Sequence, residues 1–256
     1  MVGLLSQLVS VLSYHVPAPL TRGDFSDRLN ELQKKEERPV IKGAIFDADG
    51  TLIDSMGMWD TVGERYLASL GVAARPGLRA ILFPMTQLEG AVYMKEAYGL
   101  SQSHQEIMEG INATVWDFYR HEVKPKPGAA DFLRALRSRG IPCTLATNTD
   151  RGPITDGLKT AGLFDLLDEI YTCRELNTGK DKPFIYDHAR DRMGSTTRET
   201  WVFEDAVHGA RTAFQAGYRV AGVHDLYSDQ AVLKTFCHLY LPDLTDFDGF
   251  WAQAIK

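Results

Sequence analysis

Two aspartates at the end of an apolar run are the first residues in this chain whose type and spacing suit chemistry. Asp47-Ala48-Asp49-Gly50-Thr51-Leu52-Ile53-Asp54 follows directly on the β-prone stretch Val40 to Phe46. Carboxylates two residues apart can take different tasks: the first can attack as a nucleophile, and the second can donate and accept protons. Gly50 allows a tight backbone turn beside a ligand. An ordinary acidic turn after a strand would look the same, so the pair by itself leaves both readings open. A second acidic pair, Glu204-Asp205, ends the run Thr200 to Phe203. It too has a plain alternative, the acidic start of a helix that complements the helix dipole.

The elements that must position these residues follow from the hydrophobic pattern. Short β-prone runs occur at 40–46, 142–148, 169–173, 200–203 and 219–223. Helical patterns fall between the later ones, at 129–139, 153–162, 183–193 and 207–216, with Gly140, Gly162, Gly194 and Gly217 where each helix should stop. Alternating strands and helices predict an α/β fold, a doubly wound Rossmann-like parallel sheet covered on both faces. Chemistry in such sheets collects at the carboxyl ends of the strands, where 47, 204 and 205 all lie. Residues 55–125 break the alternation with helical patterns such as Trp59 to Leu70 and Gln105 to Tyr119, and Lys124-Pro125-Lys126-Pro127-Gly128 returns the chain to the sheet. The expected organisation is an N-terminal extension at 1–39, a catalytic core at 40–54 and 126–256, and a helical cap inserted at 55–125. Within 1–39, Leu4, Leu5, Leu8, Val11 and Leu12 recur at helical spacing, and residues 22–39 read as a charged helix or linker.

Four motifs together resemble the haloacid dehalogenase-like hydrolase superfamily, over residues 40 to about 225. The first is the apolar strand followed by Asp47-x-Asp49-Gly50-Thr51-Leu52. Leu145-Ala146-Thr147-Asn148 matches the second, and Gly179-Lys180-Asp181-Lys182-Pro183-Phe184-Ile185-Tyr186 the third. Phe203-Glu204-Asp205 through His208-Gly209 and on to Gly217 matches the fourth. The resemblance implies a phosphatase working through an aspartyl-phosphate. Asp47 would be the nucleophile, and Asp49 the general acid and base. Thr147 and the Asn148 N–H would bind the phosphate, and Lys180 would orient both phosphate and nucleophile. Lys182, next to Pro183, competes with Lys180 for that role. The implied cofactor is Mg2+, held by Asp47, the Asp49 carbonyl and Asp205, with Glu204 binding directly or through water. Three carboxylates around a phosphate would repel it, and a hard divalent cation with oxygen ligands removes that conflict.

The second acid at Asp49 separates the chain from halide-removing members, whose leaving group needs no proton. Phosphonate-cleaving members need a cap lysine, and nothing around Lys95 marks it as one. Arg65, Arg75, Arg79 and Lys95 could touch an anionic substrate tail, but charged helix faces are commonly just solvated. His208 is read as a helix-surface residue near the site. The expected substrate is a small phosphorylated metabolite; a hexose-phosphate mutase similar to β-phosphoglucomutase is the alternative. A non-catalytic scaffold would predict a damaged motif, and all four are intact. Net charge is −6 and the pI about 5.7, which gives no broad attraction to nucleic acid or an anionic membrane. Cys143, Cys173 and Cys237 lack metal-ligand spacing, and their odd number suits a reducing cytoplasm. The oligomeric state is not legible in the sequence.

Overall fold

The computed structural model describes residues 40–256, and the expectations for residues 1–39 lie outside the described residues. A six-stranded parallel sheet organises the chain. Its strands are β1 (Gly43–Phe46), β4 (Cys143–Thr147), β5 (Glu169–Thr172), β6 (Thr200–Glu204), β7 (Arg219–Val223) and β8 (Leu239–Leu241), in the spatial order β5-β4-β1-β6-β7-β8. The chain builds outward from β1 through β4 and β5, then returns to the other side of β1 with β6. The carboxyl end of β1 therefore sits at the topological switch, where open α/β sheets form their ligand crevice.

Burial on both faces explains why these strands read as apolar runs. All four residues of β1 are buried, and they alternate between two cores. Ala44 and Phe46 join Phe132, Leu133, Ile154 and Phe250 on one face. Ile45 points to the other, with Ile185, Tyr186, Ala189, Ala210 and Ala213. The first face is covered by α5 (Ala129–Arg137), α6 (Arg151–Thr160) and α10 (Phe247–Ala254), the second by α7 (Phe184–Met193) and α8 (Val207–Gln215). Phe46 stacks on Phe203 with ring centroids 4.3 Å apart, and Phe132 meets Phe203 edge-on at 5.4 Å. Each such ring contributes about 1.5–3 kcal/mol by burial, so the aromatic cluster directly beneath the site is also what holds its two central strands in register.

The interval that broke the alternation is an insertion between two short strands, β2 (Ile53–Asp54) and β3 (Lys124–Pro125), paired antiparallel. Between them lie α1 (Met56–Ser69), α2 (Leu78–Leu82), α3 (Gln87–Tyr98) and α4 (His104–His121). Thr86 and Ser103 start α3 and α4 with capping boxes to Glu89 and Glu106. The insertion has its own core, including Tyr66, Leu67, Leu78, Met94 and Ile107. Its last helix also packs on the main domain: Trp116 and Arg120 bond to Asp156 at 2.7 and 2.8 Å, and the Thr160 hydroxyl donates to the Arg120 carbonyl at 2.9 Å.

Three elements near the C-terminus are additions to the sequence reading: α9 (Gln230–Lys234), β8 and α10. The first strand is also shorter than its apolar run, beginning at Gly43 rather than Val40. Among the described residues, no helix is long and apolar enough to cross a membrane.

Candidate active site

Parallel pairing brings the candidate residues together. Phe46 is level with Phe203 on one side and Leu145 on the other. The residues after those three positions, Asp47, Glu204-Asp205 and Ala146-Thr147, consequently emerge side by side at one edge of the sheet. Asp47, Glu204 and Asp205 offer carboxylate oxygens within 4.8 Å of one another, and all three residues are buried.

Of the two candidate lysines, the structure brings Lys180 to this cluster. Its ammonium donates to Asp47 and, at 2.6 Å, to Glu204. Lys182 stands exposed. Burial would lower the Lys180 pKa, but the Asp47 and Glu204 carboxylates overcome it and hold the ammonium above its usual range. Glu204 is fully engaged. One oxygen accepts from Lys180 and from the Tyr186 hydroxyl at 3.0 Å, and the other accepts from the Ala206 N–H at 3.2 Å. Gly209 makes room for it, since a Cβ there would lie 2.2 Å from the Glu204 Oε1.

One ammonium does not balance this much acid. Burial pushes the Asp47 carboxyl up to about 7 despite Lys180, with the Glu204 and Asp49 charges adding to the rise. Burial, then the Asp47 and Glu204 charges, push Asp205 well above the carboxylate range. Asp205 is held in place by the Thr51 hydroxyl at 3.0 Å. Gly50, at φ +86°, lets the backbone pass where a Cβ would meet the Asp205 Oδ2 at 2.3 Å. Among the described residues, no backbone N–H is bonded to the neighbouring Asp49 carbonyl. This oxygen-rich, under-neutralised set fits a hard divalent cation.

Asp49 occupies a different environment from Asp47, only two residues away. Its carboxylate accepts from the Ser55 hydroxyl at 2.5 Å, the Thr149 hydroxyl at 2.7 Å and the Tyr119 hydroxyl. Tyr119 is itself held by the Trp59 indole N–H at 3.2 Å. Burial and the Asp49 charge keep the Tyr119 phenol well above its ordinary pKa, so it stays a donor. Ser55, Thr149 and Tyr119 were not singled out by the sequence reading. Ser55 follows the first motif directly and Thr149 lies two residues past Thr147, so proximity to the motifs was an available signal. Tyr119 sits 70 residues from Asp49, and nothing local marks it.

A cavity of about 610 Å3 opens over these groups. Asp47, Asp49, Thr147 and Asn148 line its floor, and Trp59, Gln87, Asn112, Val115 and Trp116 of the insertion line its wall. The Thr147 hydroxyl accepts the Thr149 N–H at 3.0 Å, which orients it at the strand end. His208 is exposed at the rim of the same cavity. Arg65, Arg79, Arg75 and Lys95 do not line it. Arg65 pairs with Glu122 at 2.9 Å, Arg79 pairs with Asp60, Arg75 lies over the Tyr98 ring, and Lys95 donates to the Leu100 carbonyl at 3.0 Å.

Residues 41–217 match the family described as haloacid dehalogenase-like hydrolase. The chain belongs to that family. Among relatives of the hydrolase, it is 26% identical over 196 residues to the phosphorylated carbohydrates phosphatase of Thermotoga maritima, covering 76% of this chain and 91% of that one. It is 30% identical over 223 residues to the mitochondrial (DL)-glycerol-3-phosphatase 1 of Arabidopsis thaliana, covering 82% and 72% of the two chains. A haloacid dehalogenase family hydrolase from Deinococcus radiodurans, solved with bound phosphate and sodium, superposes with a TM-score of 0.66 at 25% identity, over 84% of this chain and 97% of that chain. The hydrolase is thus a phosphatase of its family, and its fold is the family's α/β core carrying an inserted helical domain.

Proposed function

We propose that the protein is a Mg2+-dependent phosphomonoester hydrolase that acts on a small phosphorylated metabolite through an aspartyl-phosphate on Asp47. The observation that carries this reading is the contrast between the two aspartates. Asp47 lies among Lys180, Glu204 and Asp205, and Asp49 lies apart among hydroxyl donors. That contrast supports a covalent role for the first and a proton-transfer role for the second.

Asp47 Oδ attacks phosphorus, the new O–P bond forms, and the bond from phosphorus to the substrate oxygen breaks. Asp49, entering this step protonated, gives its proton to that departing oxygen and becomes the carboxylate held by its hydroxyl donors. Asp49 then takes a proton from water as the water oxygen attacks the aspartyl-phosphate, which releases inorganic phosphate and restores Asp47. Lys180, the Thr147 hydroxyl and the Asn148 N–H hold the phosphoryl oxygens while charge spreads over them. Glu204, with both oxygens already bonded, keeps Lys180 in place. Asp47, Asp205 and the Asp49 carbonyl would hold Mg2+, which would neutralise the acid cluster and draw charge from the phosphoryl group. The insertion acts as a cap over the cavity, which excludes water and selects the substrate. The three unpaired cysteines support a cytoplasmic setting.

Phosphate release from p-nitrophenyl phosphate tests the reading. Turnover should need Mg2+, stop in excess chelator and be absent in Asp47→Asn. Full activity in chelator rules out the proposed site. A mutase similar to β-phosphoglucomutase would use the same residues, and free phosphate from a sugar monophosphate without added sugar bisphosphate separates the two activities.

A further inference from the structure

The wall that the insertion presents to the cavity carries no charge. Its lining side chains are Met56, Trp59, Gln87, Asn112, Val115 and Trp116. The insertion's basic residues nearest in character to an anion clamp are committed elsewhere, in pairs with Glu122 and Asp60, over the Tyr98 ring, or on backbone carbonyls. Two cationic side chains besides the rim residue His208 line the cavity, both outside the insertion: Lys180 is buried in its pairs, and Arg174 is exposed in a surface pair. Lys180 is bonded to Asp47 and Glu204, and Arg174 lies 2.5 Å from Asp150. Five carboxyl groups, those of Asp47, Asp49, Asp150, Glu204 and Asp205, line the same space. An anionic group seated against the insertion's wall would meet no cation there.

What the wall does offer is specific. The Gln87 side-chain N–H donates to the Asn112 carbonyl oxygen at 2.8 Å, so the pair braces itself and keeps one carbonyl oxygen and further amide N–H groups for a ligand. The two indoles spend their polar edges inside the protein. Trp59 donates to Tyr119 at 3.2 Å, and Trp116 donates to Asp156 at 2.7 Å. Arg120 covers one face of Trp116. Both residues keep exposed surface, 40% for Trp59 and 38% for Trp116, and both line the cavity. Apolar ring surface beside a braced amide pair recognises a molecule with both C–H faces and hydroxyls.

Resting on the reading of this site as a phosphomonoester hydrolase, we propose that the leaving group is an uncharged, hydroxyl-bearing alcohol, such as a sugar, a polyol or a nucleoside. It seats against Trp59 and Trp116 with its hydroxyls on the Gln87–Asn112 pair. A second phosphate or a carboxylate on the substrate is selected against. The same neutrality leaves no holder on the insertion for the distal phosphate of a sugar bisphosphate, which favours hydrolysis over a mutase cycle.

The experiment measures kcat/KM for phosphate release by the full chain with Mg2+. The neutral arm is a hexose 6-phosphate, a hexitol phosphate and a nucleoside 5′-monophosphate, which also distinguishes the three sources of the alcohol. The charged arm is a hexose bisphosphate, a phosphorylated sugar acid and phosphoglycolate, and p-nitrophenyl phosphate is the reference. The best neutral substrate should exceed its charged counterpart by at least about tenfold, since an anionic group against that wall meets no cation. A charged substrate equal or better, with the reference turned over, overturns the proposal and leaves the phosphatase reading standing. No turnover of any substrate, the reference included, overturns both. In Gln87→Arg the ratio of charged to neutral kcat/KM should rise about tenfold or more, because a cation now faces the leaving group. An unmoved ratio overturns the placement of the leaving group at Gln87.

Discussion

The Tyr119 hydroxyl, carried by the last helix of the insertion, donates directly to the Asp49 carboxylate. The residue proposed to move protons is therefore braced by the domain proposed to cover it. The Tyr119 ring is wholly buried against Gly157, where a Cβ would come within 2.4 Å of its Cδ1. Tyr119 is a positioning residue for Asp49.

Tyr119→Phe keeps that ring and removes the donor. A hydrogen bond to a charged group is worth about 1.5–3 kcal/mol, so turnover of alkyl phosphates should fall by roughly ten- to a hundredfold. Nitrophenyl phosphate, whose leaving group needs little protonation, should lose less. Steady-state rates on the two substrates check this, and equal losses on both would show that Tyr119 acts by packing alone.

The two aspartates should fail differently. Asp47→Asn removes the nucleophile, and chemistry should vanish. Asp49→Asn leaves the carbonyl available and removes only proton transfer, a loss of about 10²–10⁴-fold. Its second step then lacks a base, so phosphate should accumulate on Asp47. Mass spectrometry after rapid quench should find one added phosphate in Asp49→Asn and none in Asp47→Asn. Phosphate attached at another residue would remove Asp47 from its role.

Lys180 and Lys182 should separate cleanly. Lys180→Met leaves Asp47 and Glu204 buried without their cation, and breaking a buried pair costs about 3–5 kcal/mol. Denaturant unfolding in chelator should show that loss, and turnover should be abolished. Lys182 is exposed, so Lys182→Met should stay within about 0.5 kcal/mol of the parent and keep its rate. The reverse pattern would assign catalysis to the other lysine.

Metal and protons should compete at Asp47. Burial pushes its carboxyl from the ordinary 3.8 up to about 7. Between those values the folded state keeps a proton that the unfolded chain has released. The group's contribution to metal-free stability is therefore fully present below 3.8 and is lost as pH rises through about 7. Mg2+ binding should release protons near neutrality, and its apparent affinity should weaken as pH falls below 7. Isothermal titration in buffers of different ionisation enthalpy measures the proton count. A Mg2+ affinity independent of pH between about 6 and 8, roughly one unit either side of that value, would contradict the raised carboxyl.

The sequence by itself determined the alternating core, the first-motif aspartates and the acidic pair Glu204-Asp205 at the end of β6. Strands buried on both faces have to be apolar throughout, and in a parallel sheet their carboxyl ends share one edge. A run that stops at Asp47 or Glu204 thus announces its element and marks a candidate site. Helix stops were legible for a related local reason: Gly140, Gly162, Gly194 and Gly217 all adopt positive φ. β8 escaped because it is three residues long at the sheet edge and only partly buried. Tertiary structure alone decided which lysine turns inward, since Lys180 and Lys182 share a loop and differ only in direction. It alone brought Tyr119 and Thr149, 70 and 100 residues away, onto Asp49. It alone turned the insertion's cations away from the cavity and Gln87 and Asn112 towards it. Those outcomes depend on the path of a loop or the phase of a helix against a distant partner, and neither is written in a single stretch of chain.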